Sequence, residues 1–169
     1  MSKRSVYILL IAVVMMAVGL WLYFALQYNI PVLNAHTTSY CYEMTGNGVN
    51  IYSTEGDEID AATYGFVTNI EQQSNGLYVV EIRDLLLRTH RYYNLQSVDW
   101  IRRGGFVKCM QPIGTLGVED EDESPYLYYE IQRYTGSYKN PIPLLDKSFE
   151  IKTAKINDKK LEKILKQIH

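Results

Sequence analysis

Histidine is scarce in this chain: three in 169 residues, His36, His90 and His169. So little imidazole leaves few means of building a zinc centre or a proton shuttle near neutral pH. Cysteine is scarcer still, at Cys41 and Cys109, and their spacing matches no metal motif. The two thiols fit either a disulfide in an oxidising compartment or two buried unpaired groups. Neither sign of charge predominates, with 17 Lys and Arg against 19 Asp and Glu, which argues against nucleic acid as a partner. No Gly-rich phosphate loop follows a strand, no nucleophile elbow appears, and no repeat of fixed length is present.

What is present begins with a long apolar run, VYILLIAVVMMAVGLWLYFAL, uncharged from Val6 to Leu26. About 20 helical residues cross a hydrocarbon core of roughly 30 Å, so the run predicts one transmembrane anchor over residues 6–28. Tyr7 near one end and Trp21, Tyr23 and Tyr28 near the other suit side chains that anchor at the two interfaces. The run exceeds the roughly 7–15 apolar residues of a signal peptide, and Gln27, Tyr28 and Asn29 make poor cleavage chemistry. Lys3 and Arg4 precede it, which places residues 1–5 in the cytoplasm and the rest outside the cytoplasmic membrane. Residues 29–36, with Ile30-Pro31, read as a linker, followed by one domain over 37–147 and a tail over 148–169.

The domain reads as mostly β. VNIYS, GFVTNIE, LYVVEIRD, THRYYNL, GFVKCM and PYLYYEIQRY are short runs rich in Val, Ile, Tyr and Phe, separated by Gly, Asn, Asp and Ser. Asn75-Gly76 between two of them predicts a hairpin turn, since both residues tolerate positive φ. No stretch of the domain keeps a helical period.

The order of these segments resembles the lysostaphin/LytM-type zinc endopeptidases of peptidoglycan. That family runs through H-x-G-x-D, G-x-x-V-x-A, G-x-V, Y-A-H-L, V-x-x-G-Q-x-I-G, H-L-H-F-E and N-P. This chain reads G-N-G-V-N (46–50), G-D-E-I-D-A (56–61), G-F-V (65–67) and Y-Y-N-L (92–95) in the first four places. It continues with V-K-C-M-Q-P-I-G (107–114), Y-L-Y-Y-E (126–130) and N-P (140–141). The resemblance implies a single small LytM-like domain whose zinc-binding places fall on Gly46, Asn50 and Tyr128, and whose assisting places fall on Tyr126 and Asn94. None is a usual zinc ligand or a proton shuttle, so the expectation is a degenerate member with no metal, no cofactor and no catalysis. His90, four residues before Asn94 and roughly 13 Å along a strand, reads as a surface or packing histidine.

Strand alternation sets Tyr126, Tyr128 and Glu130 on one face and Leu127, Tyr129 and Ile131 on the core face. Together with the places the resemblance implies on neighbouring strands, Tyr126, Tyr128, Glu130, Asn94, Asn50 and Tyr92 are the expected binding residues, on the floor of the former active site. Tyrosines there suit either recognition or the filling of vacated space. The acidic run Glu119–Glu123 suits a solvated loop or a charged groove wall. In NDKKLEKILKQIH, from Asn157, apolar residues share one helical face, which packs on its own domain, a partner or a membrane surface. The function implied is a membrane-anchored binding or scaffold module contacting an envelope protein or peptidoglycan, on the periplasmic side. The rivals are an active wall endopeptidase with unconventional ligands and a purely structural anchor.

Overall fold

The computed structural model describes residues 3–32, 42–118 and 124–148. Cys41, the acidic run Glu119–Glu123 and the tail helix expected from Asn157 lie outside the described residues.

The apolar run forms one helix, α1, Lys3–Ala25, long and apolar enough to cross a membrane. Its side chains are largely exposed as far as Tyr23, while at its end Phe24 packs beside Tyr64 and Ala25 is buried. The chain after it is docked on the domain. Ile30 and Val32 are buried, Val32 bridges to Ile59, and Pro31 accepts the Asp60 N–H at 2.9 Å. Ile30 and Val32 alternate inward like a strand, and Pro31 between them has no N–H to leave unpaired. The stretch expected to be a linker is thus tied to the core at least as far as Val32. Tyr28, expected at the membrane interface, instead packs against that core, its ring 6.3 Å from His90.

The domain is an antiparallel sheet with strand order β1-β2-β9-β6-β5-β4-β7. Its strands are β1 Tyr42–Thr45, β2 Gly48–Tyr52, β3 Glu58–Asp60, β4 Gly65–Gln72, β5 Tyr78–Asp84 and β6 Thr89–Ser97. They continue with β7 Phe106–Val107, β8 Pro112–Leu116, β9 Tyr126–Gln132 and β10 Tyr138–Lys139, then a short helix α2, Ile142–Ser148. β3 pairs with β8, β8 with β6, and β10 with β9.

One face carries the core. Val49, Ile51, Val80, Ile82, Tyr92, Leu127, Tyr129 and Ile131 are buried there, and each such aliphatic side chain contributes about 1.5–3 kcal/mol by burial. The β4–β5 hairpin turns at Asn75-Gly76, but only Gly76 takes positive φ, at 85°. Asn75 keeps ordinary backbone geometry and uses its side-chain oxygen to accept the Leu77 N–H at 3.1 Å. The turn is therefore a three-residue hairpin with one left-handed position rather than a two-residue one.

Candidate functional site

The face opposite the core, over β2, β9 and β6, is built by register. Gly48 pairs with Glu130, Asn50 with Tyr128 and Tyr52 with Tyr126. Across the next ladders Glu130 pairs with Arg91, and Arg91 with Glu81. Gly48, Glu130, Arg91 and Glu81 therefore form one row across four strands, directly behind which Val49, Tyr129, Tyr92 and Val80 form a core row.

Within this face the carboxylate of Glu130 is the hub. Tyr128 donates its hydroxyl to Oε1 at 2.8 Å and Tyr93 to Oε2 at 3.3 Å. Arg91 Nη1 lies 3.6 Å from Oε2, its Nε donates to Glu81 at 2.6 Å, and its Nη2 donates to Gln132 at 3.0 Å. The Tyr93 and Tyr128 rings stand 5.2 Å apart and those of Tyr52 and Tyr126 5.9 Å apart. Burial, and then the adjacent Glu130 carboxylate, push both the Tyr93 and Tyr128 phenols up to about 12. Burial opposes the charge of Arg91, but Glu81 holds its guanidinium above its ordinary pKa. These phenols stay protonated and donate.

Gly48 makes room for this arrangement. A Cβ there would stand 2.6 Å from the Tyr129 carbonyl oxygen, 2.8 Å from Glu130 Cγ and 2.9 Å from Tyr128 Cε2. Tyr128 and Glu130 thus lie over the space a side chain would need. Tyr126 and Tyr128 remain partly exposed, while Glu130 is buried beneath them.

Four of the six expected site residues, Asn50, Tyr126, Tyr128 and Glu130, share this floor. Tyr92 does not, which corrects the expectation. It is fully buried on the core face, where its hydroxyl accepts the Ala62 N–H at 2.9 Å. Its neighbour Tyr93 takes the floor position, because alternation from the buried His90 sends residues 91 and 93 outward. Asn94 continues the inward series of His90 and Tyr92 and is buried, with φ 63° and its Nδ2 donating to the Tyr126 carbonyl oxygen at 3.3 Å; the alternation breaks after it, at the buried Leu95. It fastens β6 to β9 rather than lining the floor. Sequence reasoning missed Tyr93, Arg91 and Glu81; the alternation of THRYYNL from an inward His90 was the available signal.

His90 is a packing histidine. Its Nε2 lies 3.1 Å from Asp84 and its Nδ1 2.5 Å from the Tyr129 hydroxyl, all buried. Burial, above the opposing pull of Asp84, lowers its pKa. The neutral ring then donates to Asp84 and accepts from Tyr129. Away from the floor, Cys109 donates its thiol to the Ala62 carbonyl oxygen at 3.4 Å, and burial and then Asp60 push it up to about 11. A thiol so held is a poor nucleophile.

The carried-over zinc places do converge. A Cβ on Gly46 would stand 3.9 Å from the Tyr128 hydroxyl, and Asn50 is the cross-strand partner of Tyr128. Their chemistry does not fit the metal: Gly46 has no side chain, Asn50 is neutral, and the Tyr128 phenol is protonated and engaged with Glu130. Among the described residues no three His, Cys, Asp or Glu side chains are grouped to hold a metal ion.

The fold is shared with solved structures. Lysostaphin from Staphylococcus simulans aligns over 70% of this chain and 53% of its own, with TM-score 0.57 and 16% identity. The catalytic domain of the prophage-encoded M23 protein EnpA from Enterococcus faecalis aligns over 67% of this chain and 95% of its own, with TM-score 0.53 and 22% identity. A chain in the SpoIIQ–SpoIIIAH pore-forming complex aligns over 76% of this chain and 98% of its own, with TM-score 0.57 and 23% identity. This chain spans about half the length of the lysostaphin and Pseudomonas aeruginosa peptidase chains that it resembles. No curated protein sequence matches it. The profile of peptidase family M23 matches residues 45–141, more than half of the sequence, and the chain belongs to that family.

Proposed function

We propose that this protein is a non-catalytic binding module of the cell envelope, anchored in the cytoplasmic membrane by α1 with its domain on the extracytoplasmic side. The observation that carries the reading is the convergence of Gly46, Asn50 and Tyr128, where the family's metal would sit, on a floor of protonated phenols. Such a floor cannot activate water, but it can recognise. Tyr126 and Tyr128 present rigid, partly exposed rings, and Glu130 with Arg91 fixes the Tyr128 ring from below. Tyrosine held in this way gives large contact area at low entropic cost. An envelope protein fits as partner at least as well as peptidoglycan, since a chain of the same fold occurs in the two-protein SpoIIQ–SpoIIIAH assembly.

Affinity and melting temperature should be measured together for Tyr126→Ala and Tyr128→Ala, with envelope proteins and wall sacculi offered separately. Truncation of a central tyrosine is expected to weaken capture by about 2 kcal/mol or more while the domain stays folded. Unchanged capture by folded variants would end the groove reading. Elemental analysis of the purified chain is expected to show zinc well below one equivalent, and a stoichiometric, chelator-removable zinc would restore the peptidase reading.

A further inference from the structure

Two residues, Leu26 and Gln27, separate the end of α1 at Ala25 from Tyr28, which already packs on the domain core. The junction is fastened: Thr63 donates its hydroxyl to the Gln27 carbonyl oxygen at 3.1 Å, and the Asn29 N–H donates to Ala62 at 2.8 Å. A domain held this close to a membrane span has its 61–66 segment at the bilayer surface. From the helix end an unbroken line of rings runs onto that segment. Tyr23 and Phe24 stand 5.4 Å apart, Phe24 and Tyr64 5.1 Å, Tyr64 and Phe106 6.4 Å, and Phe106 and Phe66 5.0 Å.

The line ends on the β4–β7 edge, where Phe66 is paired with Phe106. There Phe66 is 51% exposed, Phe106 47% and Trp100 50%. Trp100 and Phe106 line one open hollow together with Val67, Asp99, Arg102 and Val107. Four cations border the patch. Arg83 faces outward opposite Phe66, Arg102 and Lys108 are exposed, and Arg103 rests its Nε on the Thr68 carbonyl oxygen at 3.0 Å. None of the four makes an ion pair among the described residues. Aromatic rings beside Arg and Lys, continuous with a membrane span, are what the headgroup region of a bilayer accepts.

We propose that this edge is a membrane-seating face. Phe66, Trp100 and Phe106 enter the headgroup region beside α1, and Arg83, Arg102, Arg103 and Lys108 rest on anionic headgroups. The domain then lies on the bilayer in one orientation, which holds the tyrosine floor of β2, β9 and β6 at a fixed height. This inference needs α1 as a retained anchor but does not depend on what the floor binds.

Trp100 reports on it directly, since Trp21 is the one other tryptophan. Full-length protein carrying Trp21→Phe is reconstituted in vesicles containing anionic phosphatidylglycerol, with lipids brominated near the headgroup or deep in the chain. The expected result is at least twofold quenching of Trp100 by the shallow label, with weak quenching by aqueous acrylamide. Adding Phe66→Glu and Phe106→Glu is expected to abolish the lipid quenching and expose Trp100 to acrylamide. Trp100 open to acrylamide and untouched by either lipid label in the Trp21→Phe protein would overturn the proposal. So would shielding from both quenchers that grows with the protein-to-lipid ratio, because a second copy of the chain would then cover the face.

Discussion

Asp60 should be worth more to this protein as an asparagine. The residue is 2% exposed, and its Oδ1 has no hydrogen-bond partner among the described residues. Burial, and then the neighbouring Glu58, push its carboxyl from 3.8 up to about 6. The sign follows from proton counting. Below pH 3.8 both the folded and unfolded chains hold the proton, and the group is neutral in its effect. Between 3.8 and 6 the folded chain keeps a proton that the unfolded chain releases, so stability falls as pH rises. Above 6 the loss is complete, and at 1.36 kcal/mol per unit it amounts to about 3 kcal/mol. Asp60→Asn cannot ionise, so its advantage over the parent should grow from about 0.5 kcal/mol at pH 4 to about 3 kcal/mol at pH 7.5. For a domain of this size that is a rise in melting temperature on the order of 10 °C. Thermal unfolding of the detergent-solubilised full chain, followed by near-UV circular dichroism at both pH values, measures it. Asp84 and His90 have lowered folded pKa values and lose stability as pH falls, below about 6.5 for the histidine and about 3.8 for the aspartate. Both are present in parent and variant, so the difference isolates Asp60. An equal offset at the two pH values, or a less stable variant at pH 7.5, would refute the reasoning.

Three further outcomes follow from the same geometry. Gly48→Ala drives a methyl into the Tyr129 carbonyl, Glu130 and Tyr128, and should cost about 2 kcal/mol or more; an unchanged urea midpoint would contradict the close approach. Leu87 is an exposed, β-turn leucine held at φ 61°, so Leu87→Asn should gain about 1 kcal/mol in denaturant unfolding by relieving a left-handed side chain. Tyr129→Phe strands His90 Nδ1 in the core and should cost about 1–3 kcal/mol, read as a lower melting temperature with capture by the floor unaltered.

The six strands expected from β-rich runs are all present, because runs such as LYVVEIRD alternate cleanly and their apolar face has one place to go. The strands not anticipated, β1, β3, β8 and β10, span 4, 3, 5 and 2 residues. Pro112 and Gly114 in β8, and the two acids of the Glu58–Asp60 strand, carry no local strand preference. Their pairing is imposed by the sheet around them. The same distinction governs the site. β9 alternates without interruption, so Tyr126, Tyr128 and Glu130 could be placed from sequence. In β6 the left-handed backbone at Asn94 shifts the pairing with β5, whose register passes from Val80↔Tyr92 to Tyr78↔Leu95. Tyr92, expected on the floor beside Asn94, instead shares with it the inward series that begins at His90, so neither lines the floor. Nor could sequence disclose that Tyr28 leaves the span, and Ile30 and Val32 the linker, for the core, since an apolar residue beside a membrane run fits both environments.

Position and chemistry are fixed by different faces of the same strands, which is why the metal places can converge while their ligands are gone. The register of β2 on β9 is held from the core side, where Val49 and Ile51 oppose Tyr129 and Leu127. A slip of one residue would send Tyr128 and Glu130 into that core and Tyr129 out of it. Nothing on the outer face is needed to prevent the slip, so the outer face is free to exchange a metal-binding set for phenols without moving the backbone. What the exchange must satisfy is local: a buried carboxylate at position 130 needs donors. Tyr128, Tyr93 and Arg91 supply them. The buried carboxylate is thereby satisfied by side chains of the same face, and the rings of Tyr126 and Tyr128 remain its partly exposed surface.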